Sequence, residues 1–199
     1  MILTETDNID IQLVPYALKI NDLELRDKYL TWMNDENVTS SLASPALEGS
    51  SKGLAFIEES FVRFTQPNCI GFFIKHTIDN VYIGTAKLDN ISTHTGSAWD
   101  GIMIGDRKYQ GKGLAHLVYR LLLAYAFSEL DLKRISSGCN SNNIAMVKTF
   151  QRIGYKEEGR LRDADFINNK FSDHLYFGIL KNEFIIQNNV NLIKIRSKL

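Results

Sequence analysis

Seven consecutive residues, Gln110-Gly111-Lys112-Gly113-Leu114-Ala115-His116, place an amide, two glycines, a lysine and an imidazole directly ahead of an apolar helical pattern. Upstream, Gly101 to Gly105 reads as a buried strand, followed by a short loop with Asp106, Arg107 and Lys108. Downstream, Leu114, Leu117, Val118, Leu121, Leu122, Tyr125 and Ala126 recur at the spacing of a helix with one face buried. A strand, a glycine turn and a helix N-terminus together present free backbone N–H groups, backed by the positive end of the helix dipole, to an anion. Gly111 and Gly113 carry no Cβ, so a phosphate can come close to the main chain. The chemistry expected at 110–116 is therefore binding of a phosphate-bearing ligand.

The spacing discriminates among phosphate loops. A P-loop requires Ser or Thr where Gly113 stands, and a dinucleotide fingerprint requires Gly where His116 stands. Gln110-x-x-Gly113-x-Ala115 instead resembles the Q/R-x-x-G-x-G/A signature of the GNAT superfamily of N-acetyltransferases. A second block supports the resemblance. Asn143, Phe150, Gly154, Tyr155, Glu158 and Gly159 fall at the spacing of that family's N-x-x-[AS]-x-x-x-Y-x-x-x-G-F-x-x-E-G motif, about thirty residues downstream of the first. Near the N-terminus, Trp32-Met33-Asn34-Asp35-Glu36-Asn37-Val38 is similar to the WLNDPEV opening of the branch that contains ribosomal-protein N-terminal acetyltransferases and enzymes of small amines and amino-sugars. The likeness runs from about residue 10 to about residue 184.

The resemblance implies an α+β fold in α/β/α layers: a mixed, mostly antiparallel central sheet with helices on both faces. It implies a single domain over 1–184, with 185–199 as a C-terminal extension, and acetyl-CoA as cosubstrate with no metal. Met103 and Ile104 would offer main-chain groups to the pantetheine arm, as an added strand does, and a neighbouring N–H would hold the developing oxyanion. Gln110 and the amides of Gly111, Lys112, Gly113, Leu114 and Ala115 would take the pyrophosphate. Lys112 either adds charge there or is a surface lysine, and His116 borders the phosphates. Asn143 either contacts the cofactor or caps a helix. Trp32 and Asn34 would wall the acceptor pocket, Trp32 equally being a plain core residue.

Attack by a neutral amine on a thioester needs proximity, a proton acceptor and a proton for the leaving thiolate. The family position for a tyrosine acid is Phe150, which has no proton to give. Either Ser141 or water would then serve as donor, or the thiolate would leave unassisted with help from the helix dipole. Asp100, at the head of the central strand, is the expected base, with a solvated strand-end carboxylate as the alternative. The acceptor is expected to be a small-molecule amine such as an amino-sugar nucleotide or polyamine. N-terminal acetylation of a protein and a non-catalytic CoA-binding module stand as alternatives.

The elements that must position these residues can be read in order. Ile11–Leu18 reads as a strand, Leu23–Met33 as a helix, 39–51 as a Ser/Gly-rich loop and Leu54–Phe64 as a second helix. Ile70–His76, Val81–Leu88 and Ala98–Ile104 read as three antiparallel strands. Lys133–Cys139 reads as a strand, Asn143–Gly154 as a capped helix, and Tyr155–Asp163 and His174–Leu180 as two final strands. The 199 residues carry 44% apolar and 23% charged side chains and no formal net charge, which suits an ordinary soluble domain and argues against a nucleic-acid partner. No apolar run is long enough to span a bilayer and no secretory signal opens the chain, so a cytoplasmic protein is expected. Cys69 and Cys139 read as two buried free thiols. The closing residues Ile185, Ile186, Val190, Leu192, Ile193 and Ile195 suit either packing on the domain or a homodimer.

Overall fold

A computed structural model describes residues 3–4, 10–40, 42, 52–167 and 169–188. Its strands are β1 (Leu3–Thr4), β2 (Ile11–Pro15), β3 (Ile70–His76), β4 (Val81–Ser92), β5 (Ser97–Ile104), β6 (Arg134–Asn140), β7 (Lys156–Ile167) and β8 (Lys170–Leu180). Its helices are α1 (Leu23–Met33), α2 (Glu36–Thr39), α3 (Leu54–Arg63), α4 (Leu114–Ser128), α5 (Ile144–Ile153) and α6 (Lys181–Asn188). The strands form one sheet in the order β1-β2-β3-β4-β5-β6-β8-β7. Every neighbouring pair is antiparallel except β5 with β6. The fold is the expected α+β arrangement.

Local chemistry sets the element ends. The Asp22 carboxylate accepts the Leu25 N–H at 3.1 Å and starts α1, and Asn143 does the same for Met146 at the head of α5. Gly154 closes α5 at φ 109°, a conformation that favours glycine. Strand β2 stops at Pro15, three residues short of the expected Leu18, because the chain turns there into a 3-10 helix over Tyr16–Leu18. Most of the expected 39–51 loop lies outside the described residues, and Thr39 itself ends α2.

The sheet divides two apolar clusters. On one face α4, α5 and α6 bury Val118, Leu122, Phe127, Phe150 and Phe184 against Phe72, Ile83, Leu88, Ile135 and Phe177. On the other, α1 and α3 bury Leu25, Tyr29, Trp32, Ile57 and Phe61 against Phe73 and Met103. Burying a side chain of this size contributes roughly 1.5–3 kcal/mol, so the two clusters fix the sheet from both sides. The second cluster takes in no residue of β6, β7 or β8. Helix α6 runs from 181 to 188, so residue 184, where the domain was expected to end, falls inside a helix; Phe184 packs 5.6 Å from Phe127, ring centre to ring centre. Residues 189–199 lie outside the described residues. Cys69 and Cys139 are free and buried.

Candidate active site

The parallel ladder between β5 and β6 has only three rungs: Ser97 with Arg134, Ala98 with Ile135, and Trp99 with Ser136. Both strands run on, β5 to Ile104 and β6 to Asn140. Beyond Trp99 the edge of β5 therefore faces a gap instead of a strand. Five further residues give an edge of about 17 Å, long enough for an extended ligand arm.

Register decides which main-chain groups face that gap. The Gly105 N–H donates to the Ile83 carbonyl at 2.9 Å, and Gly84 pairs with Ile104 and Thr85 with Met103. Groups alternate along an antiparallel strand, so the N–H and C=O of Met103 turn toward β4, whereas those of Ile102 and Ile104 face the gap. Of the two residues expected to offer main-chain groups to a ligand, Ile104 has that orientation and Met103 does not. The Met103 side chain lies in the second apolar cluster.

The gap opens onto the glycine loop at the head of α4. Gly111 and Gly113 have φ of 70° and 76°, left-handed values that a side chain would strain, and nothing lies within 4 Å of where either Cβ would stand. Gly113 is the N-cap of α4, so Leu114 and Ala115 present first-turn amides, while the His116 N–H bonds back to the Gly113 carbonyl at 3.2 Å. Gln110 is placed differently from the expectation. Its Nε2 donates to the Ile104 carbonyl at 2.8 Å, tying the end of β5 to the loop. The buried Tyr109 anchors the loop from beneath by donating its hydroxyl to Asp79 in the β3–β4 turn. That bond, first, pushes the phenol up to about 12 and holds the Asp79 carboxyl below its ordinary value. The ammonium groups of Lys108 and Lys112 each stand 5.4 Å from the Tyr109 ring centre, which brings positive charge to the loop. Burial, then the charges of Arg152 and Arg120, pull His116 below its ordinary value. An anion entering here meets a cationic, N–H-rich surface.

Asp100 is the first residue of β5 past the last rung. It is buried, which excludes the solvated strand-end alternative. Tyr155 donates its phenol to one carboxylate oxygen, and the other is a buried oxygen with no hydrogen-bond partner. Burial raises the carboxyl to about 7, offset in part by Ser137 and Tyr155. Tyr119 of α4 also feels its charge, so the carboxyl lies on the α4 side of the sheet at the apex of the gap. Phe150 is fully buried against Tyr119, Tyr155 and Phe177, with ring centres 4.8 to 5.4 Å away. Ser141 follows β6 directly, and its N–H donates to the Asp173 carbonyl at 2.8 Å. The Asn143 side chain accepts from the α5 backbone and so acts as the cap, leaving its amide nitrogen for other partners. Trp32 is a core residue seated on Gly105; a Cβ on that glycine would stand 2.3 Å from the indole. Asn34, the C-cap of α1, ties that helix end to Lys52 ahead of α3: its amide donates to the Lys52 carbonyl at 3.0 Å and accepts the Lys52 N–H at 2.7 Å. Tyr109 and Tyr155 were missed in the sequence because their partners are 30 and 55 residues away.

Residues 17–156 match the model of the acetyltransferase (GNAT) domain, which is most of the chain and takes in the first motif and the second as far as Tyr155. The chain belongs to the GNAT family. It is 32% identical over 106 residues to the "Putative ribosomal N-acetyltransferase YdaF" of Bacillus subtilis (strain 168), covering 53% of this chain and 57% of that one. It is 26% identical over 168 residues to the spermidine N(1)-acetyltransferase of Vibrio cholerae serotype O1, covering 84% of this chain and 95% of that one. The match also spans 65% of the length of the N-acetyltransferase p20 of Bacillus licheniformis, so it covers under two thirds of both YdaF and p20. The crystal structure of the Vibrio cholerae spermidine N-acetyltransferase in complex with CoA and spermine has the same fold, with a TM-score of 0.77 over 89% of this chain and 99% of that one at 24% identity. Among the described residues no helix is long and apolar enough to cross a membrane.

Proposed function

We propose that this GNAT chain is an acetyl-CoA-dependent N-acetyltransferase acting on a small-molecule primary amine. One observation carries the reading: the β5–β6 ladder stops at Trp99 and Ser136, and the gap beyond it opens onto the positive-φ glycine loop at the head of α4. The site fits a diphosphate with an extended thioester arm. Gly111 to Ala115, with Lys112, hold the diphosphate; Ile102 and Ile104 accept the arm as a strand would. His116 borders the phosphates, Gln110 fixes the loop, and Asn143 caps α5. Acetyl-CoA supplies an activated acyl carbon and a thiolate leaving group. The chain's own residues exclude water from the apex, orient the carbonyl through main-chain N–H groups and manage protons.

Asp100 is the proton-exchanging group at the apex, since a carboxyl near 7 passes a proton in either direction at neutral pH. Lying on the α4 side with a phenol already donating to it, it suits protonating the thiolate better than receiving the amine proton. Ser141, at the far end of β6, is the second donor. Trp32, through Gly105, and Asn34, through Lys52, shape the acceptor side of β5. Exposed Trp99, with Tyr176 at 5.8 Å, offers aromatic faces to an ammonium-bearing acceptor. We place the enzyme in the cytoplasm, acting without metal or nucleic acid; sedimentation would show whether the C-terminal residues make it a homodimer.

The test is incubation of the protein with radiolabelled acetyl-CoA and cell extract, alongside thiol release with a panel of polyamines and amino-sugars. Label in the small-molecule fraction and steady thiol release support the reading. Label in protein supports the N-terminal alternative that the YdaF relative raises. No turnover with tight CoA binding would make the chain a binding module.

A further inference from the structure

The face of the sheet opposite α4 carries a second proton-handling group at the gap. Side chains of Trp99, Ser136, Asn140, His174 and Tyr176 share that face, as the β5–β6 and β6–β8 registers require. His174 lies in β8 opposite Asn140, with its side chain largely buried. Its Nδ1 stands 3.0 and 3.1 Å from the two carboxylate oxygens of Asp165. Asp165 is also fixed by the Asn140 amide at 3.1 Å, and that amide donates in turn to the Ser172 hydroxyl at 2.5 Å.

A bulge places Asp165 there. The β7–β8 register shifts between Leu161 and Asp165, which face His174 and Ser172, so three residues of β7 stand against Asp173 alone. Asp163 takes a φ of 51° within the bulge, and Asp173 holds it by accepting the Asp163 N–H at 3.1 Å and the Arg160 guanidinium at 3.0 Å. Bulges of this kind re-aim a side chain. Here the result is a carboxylate directed at an imidazole nitrogen.

A carboxylate at Nδ1 keeps the proton on that nitrogen and leaves the lone pair on Nε2. The Nε2 atom lies over Gly138, 2.5 Å from where a Cβ on that residue would stand. Gly138 is two residues past the last β5–β6 rung, and Gly101 is at the same level on β5. The gap thus has glycine on both walls at this height, about 7 Å beyond its apex. An acceptor entering from this face meets the Lys87 stem over Gly101 and the imidazole Nε2 over Gly138, with Tyr176 and Trp99 beside them.

We propose that His174 is the catalytic base for the acceptor amine and that Asp165 is its positioning residue. The proposal rests on the acetyltransfer reading above. A primary ammonium gives one proton to Nε2. The freed lone pair forms the N–C bond to the thioester carbon, and the C–S bond breaks with its electron pair passing to sulfur. The new amide loses its second N–H proton and the thiolate gains one, so the balance is amide, free thiol and one proton released to solvent from the imidazolium. Asp100 works on the opposite face, at the leaving group. The two faces of the gap then divide the proton transfers between them.

The experiment pairs kinetics with nitrogen-15 NMR of the imidazole, using spermidine and the amine panel above. The wild-type protein should show the Nδ1–H tautomer. His174→Gln should lower kcat with the best amine by roughly 10²- to 10⁴-fold, with the KM for acetyl-CoA unchanged. Added imidazole should restore part of the rate. Asp165→Asn should move the ring proton to Nε2 and lower kcat, and the double variant should be no slower than His174→Gln alone. An Nε2–H tautomer in the wild type, or a His174→Gln enzyme within threefold of wild type, overturns the assignment and leaves the acetyltransferase reading standing. A wild-type protein inert toward every amine overturns both. If His174→Gln does not fold, the tautomer and Asp165→Asn decide.

Discussion

Replacing Asp100 with Asn removes a buried carboxyl whose proton affinity the fold has altered, and the consequence for stability can be worked through. The group moves from its ordinary value of 3.8 to about 7 on folding, burial being the main cause. Below about pH 4 the carboxyl is protonated in both the folded and unfolded chain and contributes no pH dependence. Between about 4 and 7 the unfolded chain releases the proton while the native one keeps it, so native stability falls as pH rises. At about 1.4 kcal/mol for each tenfold change in proton affinity, the loss reaches about 4 kcal/mol near pH 7 and is constant above it. Asp100→Asn has no such proton. Urea unfolding of both proteins, followed by fluorescence of the two tryptophans, gives the stability difference at each pH. The variant should gain on the wild type by about 4 kcal/mol between pH 4 and pH 8, with the change ending near pH 7. Any constant offset reports the amide's own fit beside Tyr155. Parallel stability curves would refute the reasoning.

Gly113→Ala should cost roughly 1–2 kcal/mol through its φ of 76°, with no clash, and weaken CoA binding by calorimetry while far-ultraviolet circular dichroism stays unchanged. Gly105→Ala drives a methyl to 2.3 Å from the Trp32 indole and should destabilise the fold by roughly 1–3 kcal/mol in thermal unfolding. His116 is held below its ordinary value by burial and by Arg152 and Arg120, so the incoming phosphates of CoA should raise its NMR titration midpoint. Tyr155→Phe removes the phenol that favours the ionised Asp100 and should push that carboxyl above about 7, moving the end of the stability change described above to higher pH.

Much of the frame was legible because it rests on local signals. Strand β3 and helix α1 have the bounds read from their apolar spacing, and Asn143 and Gly154 cap α5 as their types require. The glycine loop was legible for the same reason: it is a single stretch whose backbone needs are written in its residues. What the sequence concealed is long-range. That Asp100 accepts a phenol depends on Tyr155, 55 positions later. That Met103 turns its main chain away from the gap depends on the register with β4, which no single strand reveals. The Gln110 amide, expected on the diphosphate, is bonded from the loop to the last carbonyl of β5, which is open because β6 has already diverged there. His174 and Asp165 met only through a three-residue bulge, for which spacing gives no signal.

The central claim is that the amides of the glycine loop and the free edge of β5 together hold coenzyme A. Titrating the nitrogen-15-labelled protein with coenzyme A and following backbone amides tests it most directly. The account predicts saturable shifts concentrated at Gly111 to His116 and at Ile102 and Ile104. Saturable shifts elsewhere with those amides unmoved, or no shifts at millimolar coenzyme A, would contradict it.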